Sequence, residues 1–157
     1  MAMTQTQLIL LATLGSAGLL AGAFVFQALG FAPCAMCLWQ RWPHAAAVVL
    51  GALALTVAPA RPLAWLGALA AAVSGGLGVY HTGVERDWWD GPASCSGGDG
   101  LGALDGAALL PGAEIAPVVL CDEVAWELFG LSMASWNASV SFALAAIWIF
   151  AATTRPA

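Results

Sequence analysis

Polar residues are scarce along this chain, and they are not evenly spread. Four apolar stretches stand out, at about residues 8–29, 37–58, 63–80 and 131–152. Each approaches the ~20 residues that cross ~30 Å of hydrocarbon at ~1.5 Å per helical residue. An open strand edge in lipid would leave its backbone groups unpaired, so the pattern predicts four membrane-spanning helices. The third stretch is the shortest and the richest in Gly. Two short connections join the first three, Gly30-Phe31-Ala32-Pro33 and Pro59-Ala60-Arg61-Pro62, and in the second proline interrupts the helical hydrogen-bond ladder. The remaining connection, about 81–130, is long, acidic and rich in Gly. Within it Leu101 to Leu110 is a short apolar run with two open readings, an interfacial helix or a loosely packed loop. Four spans place both termini on one side. The expected fold is all-α: a single integral membrane four-helix bundle over residues 1–157, with its long loop between the third and fourth spans.

Composition sharpens this picture. The chain of 157 residues is 61 % hydrophobic and 8 % charged, whereas soluble domains carry about 25 % charged residues. A soluble enzyme is excluded, because a globule of this size would lack polar residues to cover it. There is no Lys and only four Arg, too few for the phosphate neutralisation that drives nucleic-acid binding. All nine acidic residues lie between Glu85 and Glu127, which marks that segment as the part in water. Trp39, Trp42, Trp88, Trp89, Trp126 and Trp136 fall near span ends on the long-loop side, and Trp65 and Trp148 toward the opposite face, as in the aromatic belts of membrane proteins. The first stretch lacks a positive n-region and is long for a signal peptide, so it reads as a retained span. Gly18 and Gly22 form a GxxxG pair that permits close helix approach. The sequon Asn137-Ala138-Ser139 sits in or beside the fourth span and is discounted. Arginine does not decide orientation, with Arg61 and Arg155 on one side and Arg41 and Arg86 on the other.

The chemistry lies in four cysteines: Cys34, Cys37, Cys95 and Cys121. Two crossings separate Cys37 from Cys95, so all four share one side. Of the three possible pairings, local spacing favours 34–37 and 95–121. A structural staple, a zinc site and a redox dithiol are the competing readings. A C-x-x-C bridge closes so small a ring that it constrains little of the unfolded chain. Zinc ribbons carry a second C-x-x-C that is absent here. Haem attachment needs a His after the motif, where Leu38 stands. A redox-active dithiol suits adjacent sulfurs at a helix N-terminus, where thiol pKa falls. Arg41 lies one turn beyond Cys37 on the same face; a cation there is costly and points to function, in support of a Cys37 thiolate or a reduced acceptor, against a snorkelling arginine. His44 shares that face and reads as a polar helix residue. His81, where the third span emerges, reads either as part of the site or as an interfacial histidine.

Pro33-Cys34-Ala35-Met36-Cys37-Leu38-Trp39-Gln40-Arg41, the Tyr80-His81 exit, and Cys121-Asp122-Glu123 followed by Trp126 and Gly130-Leu131-Ser132-Met133 closely resemble the DsbB family of bacterial inner-membrane, quinone-dependent thiol oxidases. The resemblance covers nearly the whole chain except Ser96 to Leu120 and His44. It implies that Cys34, Cys37, Cys95 and Cys121 are catalytic. Cys95 would form the mixed disulfide with a periplasmic thioredoxin-fold oxidant of the DsbA kind, and Cys121 would be its partner, pairing transiently with Cys34. Cys37 would pass electrons to the cofactor, a quinone (ubiquinone or menaquinone), with Arg41, His81 and Met133 binding it and no metal involved. The resemblance also implies cytoplasmic termini and periplasmic cysteine loops. Two expectations follow: disulfides Cys34–Cys37 and Cys95–Cys121 in the resting protein, and a Cys95 exposed to water for its soluble partner. A vitamin K epoxide reductase-like protein is the enzymatic alternative, but its C-x-x-C lies late in the chain. A metal-binding module or a non-enzymatic membrane protein with a stapled loop is the alternative from another class.

Overall fold

The computed structural model describes residues 3–56, 60–92, 95 and 119–154. Four helices follow one another: α1 (Gln5–Ala28), α2 (Ala35–Thr56), α3 (Ala60–Glu85) and α4 (Met133–Thr153), with a two-stranded hairpin, β1 (Glu127–Leu128) and β2 (Leu131–Ser132), before the last. The all-α membrane bundle is therefore what forms. α1, α3 and α4 are long and apolar enough to cross a membrane. α2 matches them in length, but Gln40, Arg41 and His44 in its first turns lower its hydropathy. Each helix packs on its two neighbours, α1 on α2, α2 on α3, α3 on α4 and α4 on α1, closing a ring. Both ends of the chain meet on one side, where Gln5 Nε2 donates to the Ala151 carbonyl at 2.9 Å.

Local sequence explains most boundaries. α1 opens on a reciprocal capping box between Thr4 and Gln7. α3 begins earlier than its apolar pattern, at Ala60, because a proline in the first turn (Pro62) sacrifices only an N–H that has no helical partner. It also runs on past Tyr80 to Glu85 and stops in a left-handed Asp87 (φ 55°), with Trp88 N–H donating to Gly83 O at 2.8 Å and Asp87 N–H to Val84 O at 3.2 Å. Those two bonds satisfy the last carbonyls as a Schellman motif does. α4 starts two residues after the apolar pattern, since Leu131 and Ser132 pair back with Leu128 and Glu127. The hairpin turns on Phe129 and Gly130, both at positive φ, the twist a two-residue loop requires. The run Leu101–Leu110 and residue Arg155 lie outside the described residues.

The end of the bundle that holds the termini is packed by small residues against a few large ones. Ile9, Ala12, Ala54, Ala64, Ala68, Ala71, Leu144, Ala145 and Trp148 form its core. A Cβ on Gly67 would lie 2.7 Å from the Trp148 ring, and one on Gly51 would overlap Thr13. Trp148 is thus a buried core residue and not part of an aromatic belt. Gly18 and Gly22 have open space around them, so the GxxxG pair is not a packing contact within the chain; Gly15, Gly51, Gly67 and Gly78 supply the close approaches instead.

Candidate thiol site and its polar support

The C-x-x-C spacing is a helix-capping spacing. Cys34 precedes α2, its carbonyl accepts the Leu38 N–H at 3.1 Å, and its Sγ accepts the Cys37 N–H at 3.2 Å. The first sulfur therefore caps the helix and stands in the field of the N-terminal N–H groups. Cys37 Sγ lies 2.8 Å from Cys34 Sγ, and His81 Nε2 lies 3.6 Å from it on the other side. Cys34 is 3 % exposed, while Cys37 is half-buried. The hydrogen bond from Cys37 holds the Cys34 thiol down to about 4; burial opposes this, and His81 adds to it. Cys34 is thus the thiolate of the pair.

Cys95 and Cys121 form a disulfide, with Cα atoms 5.0 Å apart. The Cys121 N–H donates to the Cys95 carbonyl at 3.0 Å, and the Cys95 N–H to Pro92 O at 2.7 Å. This bond packs beside the C-x-x-C pair: Cys34, Met36, Val84, Cys95 and Cys121 make one apolar cluster. Cys34 and Cys37 are free thiols in this structure, held by capping and by His81. One expectation is corrected here. Cys95 is 1 % exposed and Cys121 is fully buried, because the apolar disulfide is stabilised against Val84 and the head of α2. A cavity of about 340 Å³ borders Cys95, lined also by Val84, Asp87, Trp88, Trp89, Asp90, Gly91 and Asp122.

The other predicted residues surround the pair unequally. His81 is 3 % exposed; besides Cys34, its Nε2 faces Glu85 Oε1 at 4.0 Å, and the Cys121 backbone also interacts with the ring. Glu85 in turn accepts a short hydrogen bond from Ser132, the cap of α4. Arg41 points toward α1: Nη1 donates to Gln27 Oε1 at 2.7 Å, Nη2 to Ala23 O at 3.3 Å, and the guanidinium sits 4.9 Å from the Phe24 ring centre. It therefore bridges α1 and α2 at a half-exposed edge. Met133 is the half-buried first residue of α4.

Sequence reasoning missed the support behind His81. Gln40, His44, Ser74, Asn137 and Ser141 form a buried hydrogen-bonded cluster between α2, α3 and α4. His44, read as a plain polar helix residue, is 3 % exposed inside it. The signal was there: Gln40/His44 and Asn137/Ser141 are i, i+4 pairs of polar residues inside apolar stretches, where an unpaired polar group is costly.

The ligating atoms of Cys34, Cys37 and His81 lie within 4.8 Å of one another. Sulfurs 2.8 Å apart are closer than the roughly 3.8 Å that two thiolates keep on one tetrahedral zinc, so the geometry favours thiol exchange over metal binding.

Residues 5–151 match the family described as "Disulfide bond formation protein DsbB". The chain belongs to the DsbB family. It is 36 % identical over 154 residues to "Disulfide bond formation protein B" of Xanthomonas oryzae pv. oryzae (strain MAFF 311018), covering 91 % of this chain and 87 % of that protein. It is 35 % identical over 150 residues to the protein of the same name from Xanthomonas axonopodis pv. citri (strain 306), covering 88 % and 84 %. No solved structure matches the chain significantly. As a DsbB-family member it is a helical membrane oxidoreductase of disulfide bond formation, and the two juxtaposed cysteine pairs are where such chemistry can occur.

Proposed function

We propose that this protein reoxidises a periplasmic, thioredoxin-fold dithiol partner of the DsbA kind and passes the electrons through Cys95–Cys121, then Cys34–Cys37, to a membrane quinone, ubiquinone or menaquinone. The observation that carries this reading is the packing of both cysteine pairs into one cluster at one end of a membrane bundle. Sulfur exchange requires direct attack, and the cluster brings the pairs within reach.

The exchange balances as follows. A partner thiolate attacks Cys95 Sγ through the acidic cavity and releases Cys121 as thiolate. The partner's second thiolate then attacks the mixed disulfide, leaving with its own disulfide and freeing Cys95. With Cys34–Cys37 oxidised, the Cys121 thiolate attacks Cys34 Sγ and releases Cys37, and Cys95 then attacks Cys121 to regenerate the loop disulfide and free Cys34. The arrangement seen, loop pair bonded and C-x-x-C pair reduced, corresponds to the state after this internal transfer. A low-pKa thiol is the better leaving group, which suits Cys34.

A quinone, when bound, supplies a lipid-soluble acceptor of two electrons and two protons. The donor set fits its carbonyl oxygens: Arg41 offers a fork of N–H groups at a half-exposed edge beside Phe24, and His81 lies behind the sulfurs. Arg41 would hold a carbonyl and Met133 the ring, while His81, expected to touch the quinone, is buried behind the sulfurs and would act on it through Cys34. Cys37, the less buried thiol, would be the one to deliver electrons to the acceptor. The membrane is the bacterial inner membrane, with both termini cytoplasmic and the cysteine loops periplasmic.

An anaerobic assay of the purified protein with a reduced thioredoxin-fold partner and several quinones tests this. One partner disulfide formed per quinol is the expected result. Retention of all partner thiols with every quinone refutes it.

A further inference from the structure

The cluster behind His81 has a direction. Gln40 Nε2 lies 3.0 Å from the Met36 carbonyl and 3.0 Å from His81 Nδ1. A carbonyl only accepts, so this end of the Gln40 amide is its NH₂ group, and its second hydrogen is donated to His81 Nδ1. The amide oxygen, Oε1, accepts from Asn137 Nδ2 at 2.7 Å. Asn137 is oriented in the same way, since its Nδ2 also approaches the Ser74 carbonyl at 3.4 Å. Asn137 Oδ1 then accepts from His44 Nε2 at 2.9 Å and from Ser141 Oγ at 3.3 Å. Ser74 Oγ donates to the Gln40 carbonyl at 3.1 Å and lies 3.0 Å from His44 Nε2. His44 Nδ1 is buried with no hydrogen-bond partner among the described residues. A bare ring nitrogen is a weaker loss there than a stranded N–H.

Every link therefore donates the same way: His44 Nε2–H to Asn137, Asn137 Nδ2–H to Gln40, Gln40 Nε2–H to His81 Nδ1. A ring nitrogen that accepts carries no proton, so the proton of a neutral His81 sits on Nε2, the nitrogen facing Cys34 Sγ and Glu85. We propose that Gln40, held by Asn137 and His44, is a positioning residue that fixes His81 in the Nε2–H tautomer and so keeps a hydrogen-bond donor on Cys34. Reversing the tautomer requires Gln40 to turn, which would set its oxygen against the Met36 carbonyl and its NH₂ group against the Asn137 NH₂. Because the direction is set from the Gln40 side, the tautomer does not depend on whether Cys34 is a thiolate or part of a disulfide. The donor on Cys34 thus survives each turn of the cycle. This extends the oxidase reading, in which Cys34 is first attacked by Cys121 and then leaves as thiolate.

The chain has two histidines, which makes the test direct. Nitrogen-15 NMR of histidine-labelled protein in detergent or nanodiscs reports which ring nitrogen carries the proton, and a His81→Asn variant assigns the signals. In the neutral form of each ring, isolated by titrating the spectra to the high-pH limit, with the C-x-x-C pair reduced and again with it oxidised, His81 should be Nε2-protonated with a bare Nδ1, and His44 should match it. In Gln40→Glu, whose carboxylate can only accept, the proton should move onto His81 Nδ1. In Gln40→Leu both His81 tautomers should be populated. A neutral wild-type His81 protonated on Nδ1, or a Gln40→Glu protein whose neutral His81 keeps an unprotonated Nδ1, overturns the proposal. The measurement needs neither partner nor quinone, so its outcome is separate from that of the oxidase assay.

Discussion

The two ends of this bundle are held together by different means. At the end with the termini, alanine and glycine let helices approach until Trp148 lies against Gly67, and shape complementarity does the work. At the end with the long loop, α2, α3 and α4 are joined by hydrogen bonds through Gln40, His44, Ser74, Asn137 and Ser141, and by sulfur. Lipid explains the contrast. With no hydrophobic gain between helices in a bilayer, association comes from close packing or from polar pairing. Packing needs only small residues, and it leaves nothing that can react. Polar pairing is specific about direction, so it can orient a histidine against a thiol.

If chemistry is confined to the loop end, changes there should remove activity and leave the fold, and changes at the other end should do the reverse. The largest effect is expected from Cys37→Ala, which should reduce quinone reduction to background while the loop pair still exchanges with the partner. Cys121→Ala should accumulate a stable mixed disulfide on Cys95, visible by non-reducing gel and peptide mapping. A partner trapped on Cys34 or Cys37 in a protein with intact loop cysteines would reverse the proposed order.

Next in size is the pH response of Cys34. Its pKa is lowered from 9.0 to about 4, and a lowered pKa favours the thiolate. At pH 6 it should therefore be almost fully thiolate, where an ordinary thiol is about one part in a thousand. Alkylation of reduced protein, mapped by mass spectrometry, should stay fast down to about pH 5 and fall as pH drops through about 4. In Cys37→Ala the profile should move to higher pH, because the hydrogen bond from Cys37 is the main cause. An unchanged profile would assign the thiolate to some other group.

Gly67→Leu tests the opposite end. The new side chain would start 2.7 Å from a rigid indole, and overpacking of this kind costs about 1–3 kcal/mol. Thermal unfolding in detergent should record that loss, with kcat and KM per folded molecule unchanged. The smallest effect is assigned to Arg41→Ala, which leaves the sulfurs and their polar support in place. Loss of a charged donor at the quinone should raise its KM or lower kcat about tenfold, with partner exchange unaffected. Unchanged quinone kinetics would leave Arg41 as a bridge from α2 to Gln27 and Ala23 only.

Some of this was decided by the sequence alone. Runs of apolar residues long enough to span lipid dictate helices, because the backbone has no other way to satisfy itself there. An early C-x-x-C at the head of one run, with two more cysteines in the acidic loop, identified the chemistry and the family. Helix ends were less legible, since Pro62, Asp87 and the Phe129-Gly130 turn act through backbone geometry that hydropathy does not record. Burial was not legible at all. Cys95 looked exposed because its neighbours in sequence are polar, and Trp148 looked interfacial because of its depth, yet both are enclosed by residues distant along the chain. The same holds for His44 and Asn137, 93 positions apart and 2.9 Å from each other. Each could be seen as a polar residue in an apolar run, but which one donates and which accepts depends on the Met36 and Ser74 carbonyls. Local composition determines which segments leave water; only the folded bundle decides which polar atoms face one another once they have left it.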